Sequence, residues 1–347
     1  MAYRIVNVQK IQIVAYRKSR TEAVLPIGCN FTYADSNIQI VPQYKYLGII
    51  LHETQHELAT IKHRIEQGRR AMAIWLRRIH VWRFKPSMAA KLFKTCVLPA
   101  FEYGLPIWGS SSYQSHIWQE TERFWRKAAR YILSAPTRTS NAAVLGEIGW
   151  TPLWTRAVWQ TASMWTRITR MPDCALVRKA MHVQRGLVVH GVDCWLLRLR
   201  DTLMNDCGIG GPRLWHEWWD AAEFRLHCER IENTRNGKQV VIKWEDDIQT
   251  ATQAIAQERW LSEVQRLESH TGIGNNKLRT YARFKKSLEL EPYLEVVEDQ
   301  KKRRLMTKFR IGLCPLRIET GRYEAAPAGS DRQRGVPPID RICACCE

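Results

Sequence analysis

Apolar and polar residues alternate over short stretches at the front of the chain, and the period then lengthens to that of a helix. Residues 1–52 contain compact β-rich runs, IQIVAY and NIQIV among them, which proline and glycine separate. From Glu53 onward, apolar side chains recur at steps of three, four and seven residues, as they do on one face of a helix. The first such stripe comprises Leu58, Ile61, Ile65, Met72, Trp75 and Ile79.

The helical period continues along the chain, with interruptions where proline and glycine concentrate. Pro86 is placed to open a second helix as its first residue, and LPAFEYGLPIWGSSS breaks that helix. Two further buried stripes are predicted, one of Ile117, Thr121, Phe124, Ala128 and Ile132 and one of Trp154, Val158, Ala162, Trp165 and Ile168. Residues 173–232 have an interrupted helical pattern, and residues 243–268 a long amphipathic one. The predicted fold class is mainly α with a small N-terminal β fragment.

The net charge of the chain indicates the class of partner that it binds. The 347 residues include 53 Lys and Arg against 34 Asp and Glu, a net charge of +19. An excess of this size favours an anionic partner, and nucleic acid over a membrane. The N-terminal residues lack the features of a signal peptide, and no long uninterrupted apolar run occurs. We therefore expect an intracellular protein, nuclear or cytoplasmic and not secreted, whose scattered cysteines are free buried thiols.

One four-residue segment, Tyr33-Ala34-Asp35-Ser36, resembles the aromatic-x-Asp-Asp turn that binds metal in reverse transcriptases. Nucleotidyl transfer by two metals needs several convergent carboxylates. Here Ser36 occupies the place of the second aspartate, and Glu22 is the only other carboxylate among the preceding residues. Asp35 is therefore interpreted as a turn residue, and no catalytic residue is predicted.

Three segments together resemble the reverse transcriptase of non-LTR (LINE-type) retrotransposons downstream of its catalytic turn: VNVQKIQIVAYRK, YKYLGIIL and CVLPAFEYGLPIWG. Asn7 and Lys10 match the family's Asn-x-x-Lys-Thr strand, although Ile11 replaces the threonine. The segment similar to the family's primer-grip strand is Tyr46, Leu47 and Gly48. The residues that match the thumb signature are Leu98, Pro99, Tyr103, Gly104 and Trp108.

The C-terminal residues resemble the approach to the family's zinc knuckle. Cys343 and Cys346 have Cys-x2-Cys spacing, which lets two thiolates meet one Zn²⁺. The resembled knuckle takes a His and a Cys from later residues, but this chain ends at Glu347. We expect an unoccupied half-site and no tightly bound zinc. The resemblance places the fingers and the catalytic carboxylates upstream of Met1, so Mg²⁺ and Zn²⁺ are expected as cofactors only of the full-length family enzyme.

The resemblance implies four segments. Residues 1–52 correspond to a residual palm edge with the primer-grip-like strand, and residues 53–135 to a helical thumb. Residues 136–298 form a C-terminal helical region, and residues 299–347 a basic tail with half a zinc knuckle. The thumb-like segment holds fourteen Lys and Arg against six acidic residues. The candidate nucleic-acid-binding residues are Lys10, Arg69, Arg70, Arg77, Arg78, Lys91, Lys94, Arg123, Arg126, Lys127 and Arg130.

The interpretation is a truncated reverse-transcriptase-like protein of a retroelement that binds RNA, DNA or a hybrid duplex and is not itself an enzyme. Two alternatives stay open. The chain is a helical scaffold or interaction protein whose charge serves solubility, or it is one piece of a longer RNA-directed DNA polymerase. A steep fall of duplex affinity with salt favours nucleic-acid binding over the scaffold. The sequence leaves the oligomeric state open.

Overall fold

Helices make up most of the part of the chain that the computed structural model describes, and the strands are few and short. The fold class predicted from the sequence, mainly α with a small β fragment, is confirmed. None of the described helices is both long and apolar enough to cross a membrane. The described residues are 11–17, 30–33, 36–54, 56–109, 116–206, 229–233, 239–265 and 278–313.

The strands at the front of the chain pair in twos. They are β1 (Gln12–Ile13), β2 (Thr32–Tyr33), β3 (Ser36–Asn37), β4 (Gln39–Ile40), β5 (Gln43–Tyr46) and β6 (Ile49–His52). Strand β1 runs parallel to β4, β2 antiparallel to β3, and β5 antiparallel to β6. The β5–β6 hairpin is the longest of these pairs, and its register places Tyr46 opposite Ile49 at the turn.

Most of the helices begin and end where the apolar pattern changes. They are α1 (His56–Trp82), α2 (Pro86–Leu92), α3 (Leu98–Glu102), α4 (Leu105–Trp108), α5 (His116–Leu133), α6 (Asn141–Ile148), α7 (Leu153–Thr169), α8 (Leu176–Val189), α9 (Trp195–Asp201), α10 (Trp244–Gln265), α11 (Arg279–Phe284), α12 (Tyr293–Val296) and α13 (Gln300–Arg310). Pro86 opens α2 as predicted. The stretch predicted to break that helix instead continues it, because the π-helical turn Phe93–Val97 joins α2 to α3 and the chain stays helical from Pro86 to Glu102. Helix α4 follows Gly104 and has Pro106 within its first two positions, where a missing N–H costs nothing.

A second hairpin departs from the prediction. Strands β7 (Glu229–Asn233) and β8 (Gln239–Lys243) pair antiparallel, with Glu229 opposite Lys243. The prediction of interrupted helix up to residue 232 is therefore wrong from residue 229. The sequence does carry a signal for a hairpin, because an Asn-Gly dipeptide at 236–237 precedes a run rich in β-branched residues, Val240, Val241 and Ile242.

The chain divides into two units. The first contains residues 1–77, 93–124 and 153–252, and the second residues 78–92, 125–152 and 253–347. The four segments implied by the resemblance stay a prediction, because these units report which residues are close in space and do not test functional boundaries.

The core of the first unit is aromatic. The Phe101 ring stacks on Phe124 with centroids 5.1 Å apart, and Trp108 meets Phe101 edge-on at 5.7 Å. Gly68 of α1 permits this packing, because a Cβ there would lie 2.9 Å from the Phe124 ring. On α7, all five residues of the predicted stripe are buried, and so are Thr121 and Phe124 of the stripe predicted on α5. Ala128 and Ile132 of that α5 stripe are also buried, but they belong to the second unit. Large aromatic side chains such as these bury the most apolar area and stabilise the unit accordingly.

The second unit contains a buried polar network centred on Glu147 of α6, whose side chain is 0% exposed. Tyr293 Oη donates to Glu147 Oε2 at 2.6 Å, and Arg310 Nε lies 3.1 Å from both carboxylate oxygens. Arg310 also pairs with Glu291 at 2.8 Å, and Lys285 Nζ donates to Glu291 at 2.5 Å. Two carboxylates thus face two cations, so the network carries no net charge and each buried ion has a partner.

Candidate nucleic-acid interface

The predicted primer-grip-like residues form the turn of the β5–β6 hairpin. Tyr46 ends β5, and Leu47 and Gly48 adopt left-handed backbone angles, with φ of 44° and 81°. Only Tyr46 lies in a strand, so the expectation of a Tyr-Leu-Gly strand is wrong for the other two residues. A two-residue turn with both φ positive fits the twist of a hairpin. Leu47 is 70% exposed and Tyr46 57% exposed, which leaves an apolar side chain and an aromatic ring at the tip.

Two residues of α1 hold this hairpin in place. Thr60 Oγ1 lies 3.0 Å from both the backbone N–H and the carbonyl oxygen of Ile50. Arg64, only 7% exposed, donates from Nη2 to the carbonyl oxygen of Gly48. Its guanidinium carbon lies 4.6 Å from the centre of the Tyr103 ring, so the cation stacks on the aromatic face. Burial lowers the pKa of Arg64, but an arginine keeps its charge at any ordinary pH.

Exposed cations line one side of α1, a different side from the one on which Thr60 and Arg64 hold the hairpin. We call Lys62, Arg69, Arg70 and Arg77 the α1 basic stripe; all four side chains are exposed. At 100° per residue they fall within an arc of about 100°, over a length of about 22 Å. Glu66 shares this face and bonds Arg70 at 3.1 Å, an exposed pair that contributes little to stability. The stripe therefore keeps an excess of positive charge.

The electrostatics of His63 place a further cation near this stripe. The pKa of His63 is lowered by its partial burial and by the positive charges of Lys45, Arg64 and Arg70. Lys45 is exposed on β5, one residue before Tyr46. Lys45 and Arg64 were not among the predicted binding residues. Two features of the sequence bear on the role of Arg64: it lies one turn after Thr60, and a Tyr-Gly pair occurs at 103–104. Only the fold brings these residues together, so the sequence alone did not reveal the role.

The predicted basic residues are divided between the two units. The first unit holds Arg69, Arg70, Arg77, Lys94 and Arg123, and the second holds Arg78, Lys91, Arg126, Lys127 and Arg130. All except the half-buried Arg126 and Arg130 are exposed. Burial and the charge of Arg156 lower the pKa of Lys94, and Arg123 pairs with Glu120 on the same helix.

Arg130 has structural contacts that the charge pattern did not reveal. Its Nη2 donates to the carbonyl oxygen of Thr139 at 3.0 Å and to Asn141 Oδ1 at 2.5 Å. Burial lowers its pKa, and so does the neighbouring charge of Arg126. A guanidinium bonded in this way holds the loop before α6, so Arg130 has fewer donors left for phosphate than the exposed Lys127 has.

The basic run Lys301 to Arg304 lies on α13, and its members face different ways. Lys301, Lys302 and Arg304 are exposed, whereas Arg303 is buried and donates to the carbonyl oxygen of Val297 at 2.6 Å. Asp299 caps this helix by accepting from the backbone N–H of Lys302 at 2.8 Å. Three of the four charges are thus available to a partner.

Several predicted residues lie outside the described part of the chain: Lys10, Asp35, Cys343 and Cys346. The catalytic and zinc expectations attached to them stay predictions. Among the described residues, no group of three or more His, Cys, Asp and Glu side chains could hold a metal ion. Cys96, Cys174 and Cys194 are free thiols, but Cys96 and Cys174 are exposed, so the expectation of buried thiols is wrong for these two.

Comparison with protein-family models, with curated proteins and with solved structures finds no match for this chain.

Proposed function

We propose that this chain binds RNA, DNA or a hybrid duplex through the α1 basic stripe and the β5–β6 hairpin. It acts as a reverse-transcriptase-like protein of a retroelement, without a polymerase active site among its own residues. One observation carries the proposal. Helix α1 presents the exposed cations on one side, and through Thr60 and Arg64 it also holds the hairpin tip with its exposed Tyr46 and Leu47.

This combination suits a nucleic acid better than it suits other anions. A row of cations about 22 Å long can contact successive phosphates of one strand. An exposed aromatic ring such as that of Tyr46 can stack on a base or pack against a sugar. Each phosphate contact releases counterions, so the affinity must depend on salt.

Reversing the charge of Lys62, Arg69 and Arg77 to glutamate is expected to weaken binding to a hybrid duplex by at least about tenfold at low salt. The slope of log affinity against log salt is expected to flatten by up to about 0.9 for each phosphate that the variant no longer neutralises. Fluorescence anisotropy with a labelled RNA–DNA duplex, repeated at several salt concentrations, measures both quantities. These three side chains are exposed and none makes a tertiary hydrogen bond among the described residues, so the variant is expected to fold.

The matched control reverses Arg138, Arg167 and Lys179, three exposed cations that are not part of α1. It changes the net charge equally, so it reports the effect of overall charge alone. If the two triple variants lose the same affinity, the stripe is not the binding site. If the unaltered chain does not bind duplex at low salt, the proposal fails and the helical scaffold is the better interpretation.

We also propose that the chain does not extend a primer. Two-metal nucleotidyl transfer requires convergent carboxylates, and the sequence beside Asp35 offers serine in place of the second one. Incubation with a primed RNA template, deoxynucleotides and Mg²⁺ or Mn²⁺ is expected to yield no extended product. Extension that disappears in an Asp35→Ala variant would contradict this prediction and assign an active site to the chain.

A further inference from the structure

The first unit contains a cavity that adjoins the β5–β6 hairpin, since Ile49 and Thr60 are in its lining. Its volume is about 410 Å³, and it lies among β6, the start of α1, α4, α7, α8 and the start of α9. Its walls are mostly apolar, with Ile49, Trp108, Met164, Ile168 and Met181 among them. Ligand pockets for small organic molecules typically have about 300–1,000 Å³ and such walls.

The rim of the cavity is open and apolar. Ile107 of α4 is 52% exposed and Val177 of α8 is 49% exposed, and both line the cavity. Ala180, also in the lining, is exposed. A packing defect of the core would be enclosed, whereas this cavity can admit a molecule from solvent.

Three charged residues form the polar end of the cavity. Arg198 Nε and Nη2 each donate to a carboxylate oxygen of Asp193 at 2.7 Å, and its Nη1 donates to Glu57 Oε1. Arg198 is the one basic side chain in the lining that the structure describes, against the two acids. Within the described residues, the second carboxylate oxygen of Glu57 accepts no hydrogen bond.

The two carboxylates and one guanidinium favour a cationic ligand over an anionic one. An anion would meet a guanidinium that two carboxylates already hold, and it would be repelled by the excess negative charge. A cation would find an acceptor in the second oxygen of Glu57 without displacing Arg198. Charge-assisted hydrogen bonds of this kind are the stronger ones in proteins.

We propose that this cavity binds a hydrophobic ammonium compound, its apolar body against Trp108, Met164 and Met181 and its ammonium group donating to Glu57. The site belongs to the first unit alone, and it contains none of the α1 basic stripe, although Ile49 and Thr60 in its lining also form and hold the β5–β6 hairpin. The bound class is an arylalkyl or alkyl amine, protonated at neutral pH.

Three naphthalene compounds of matched size test the assignment by isothermal titration calorimetry on the full chain: naphthylmethylamine, naphthalenemethanol and naphthoic acid. The amine is expected to bind tightest, the alcohol about tenfold more weakly because it lacks the charge, and the acid more weakly again. In Glu57→Gln, affinity for the amine is expected to fall to that for the alcohol, while affinity for the alcohol stays unchanged.

A variant whose side chain fills the cavity tests whether the compounds bind there or at another apolar surface. Ala180→Phe is expected to weaken binding of both the amine and the alcohol by more than about tenfold, because the ring occupies the ligand's volume. The matched control is Val183→Phe, on the same helix but outside the cavity lining, which should bind as the unaltered chain does. Equal binding by the Ala180→Phe variant, no preference for the amine over the alcohol, or no binding of any of the three compounds would each overturn the proposal.

Discussion

Replacing Glu147 with alanine is expected to lower the free energy of unfolding by about 3–5 kcal/mol, the cost of removing one partner from a buried ion pair. The carboxylate accepts from Tyr293 and Arg310, and its loss leaves a buried hydroxyl and a largely buried guanidinium without that partner. Chemical denaturation followed by circular dichroism measures the change. Glu258→Ala on α10, which removes an exposed carboxylate, is the matched control and should cost little.

The same residue makes an identifiable contribution to the pH dependence of stability. Burial raises the pKa of Glu147 above its ordinary value of 4.5, while the hydrogen bond from Tyr293 and the charge of Arg310 act against that rise. A carboxyl group with a raised pKa binds its proton more tightly in the folded chain than in the unfolded one. Its contribution to stability is therefore complete below the unfolded pKa and is lost as pH rises through the folded pKa.

A Glu147→Gln variant isolates this contribution. The free energy of unfolding of the unaltered chain, minus that of the variant, is expected to decrease as pH rises from below 4.5 toward neutrality. Denaturation curves of both proteins at several pH values give this difference directly. A difference that grows with pH would mean that the pKa of Glu147 is lowered by Arg310 and not raised by burial.

The sequence predicts the fold well for those helices whose buried side chains recur on a single face. Trp154, Val158 and Trp165 recur on α7 at helical spacing, and burial of one helix face requires that pattern. The β7–β8 hairpin was missed because an overall helical pattern in the neighbouring sequence outweighed the local Asn-Gly signal. Pairing between strands depends on which segments meet, and periodicity within one segment does not report that.

The charge of the candidate interface could be predicted from the sequence, but the hydrogen bonds that hold the interface in place could not. Exposed residues such as Arg69 and Arg77 follow from their spacing on the polar face of α1. Arg64 and Arg130 have the same chemistry in the sequence, yet the fold uses both as internal hydrogen-bond donors. A charge count cannot separate the two uses, because each arginine donates to a backbone carbonyl group, and every residue type has one.

Arg64→Lys is expected to lower the free energy of unfolding by about 2–3 kcal/mol although it keeps the charge. A lysine ammonium can donate, but it lacks the planar fork that reaches the Gly48 carbonyl oxygen while stacking on Tyr103. The hairpin tip is then expected to open more often. Amide hydrogen exchange over residues 45–50, measured by mass spectrometry, should be faster in the variant than in the unaltered chain.

The effect of Arg64→Lys on nucleic-acid binding distinguishes two roles of Arg64, holding the hairpin tip in place and contributing positive charge. Arg64 is only 7% exposed, so under the proposed function we expect it to affect binding through the position of Tyr46 and Leu47 and not by touching phosphate. Arg64→Lys is therefore expected to reduce duplex affinity while leaving the salt slope unchanged, because the same number of phosphates is neutralised. Arg69→Ala, the exposed control on the same helix, should flatten the slope and leave hydrogen exchange at the tip as it was. If Arg64→Lys flattens the slope as Arg69→Ala does, Arg64 binds the nucleic acid itself. If it changes neither exchange nor affinity, the tip does not depend on the arginine fork.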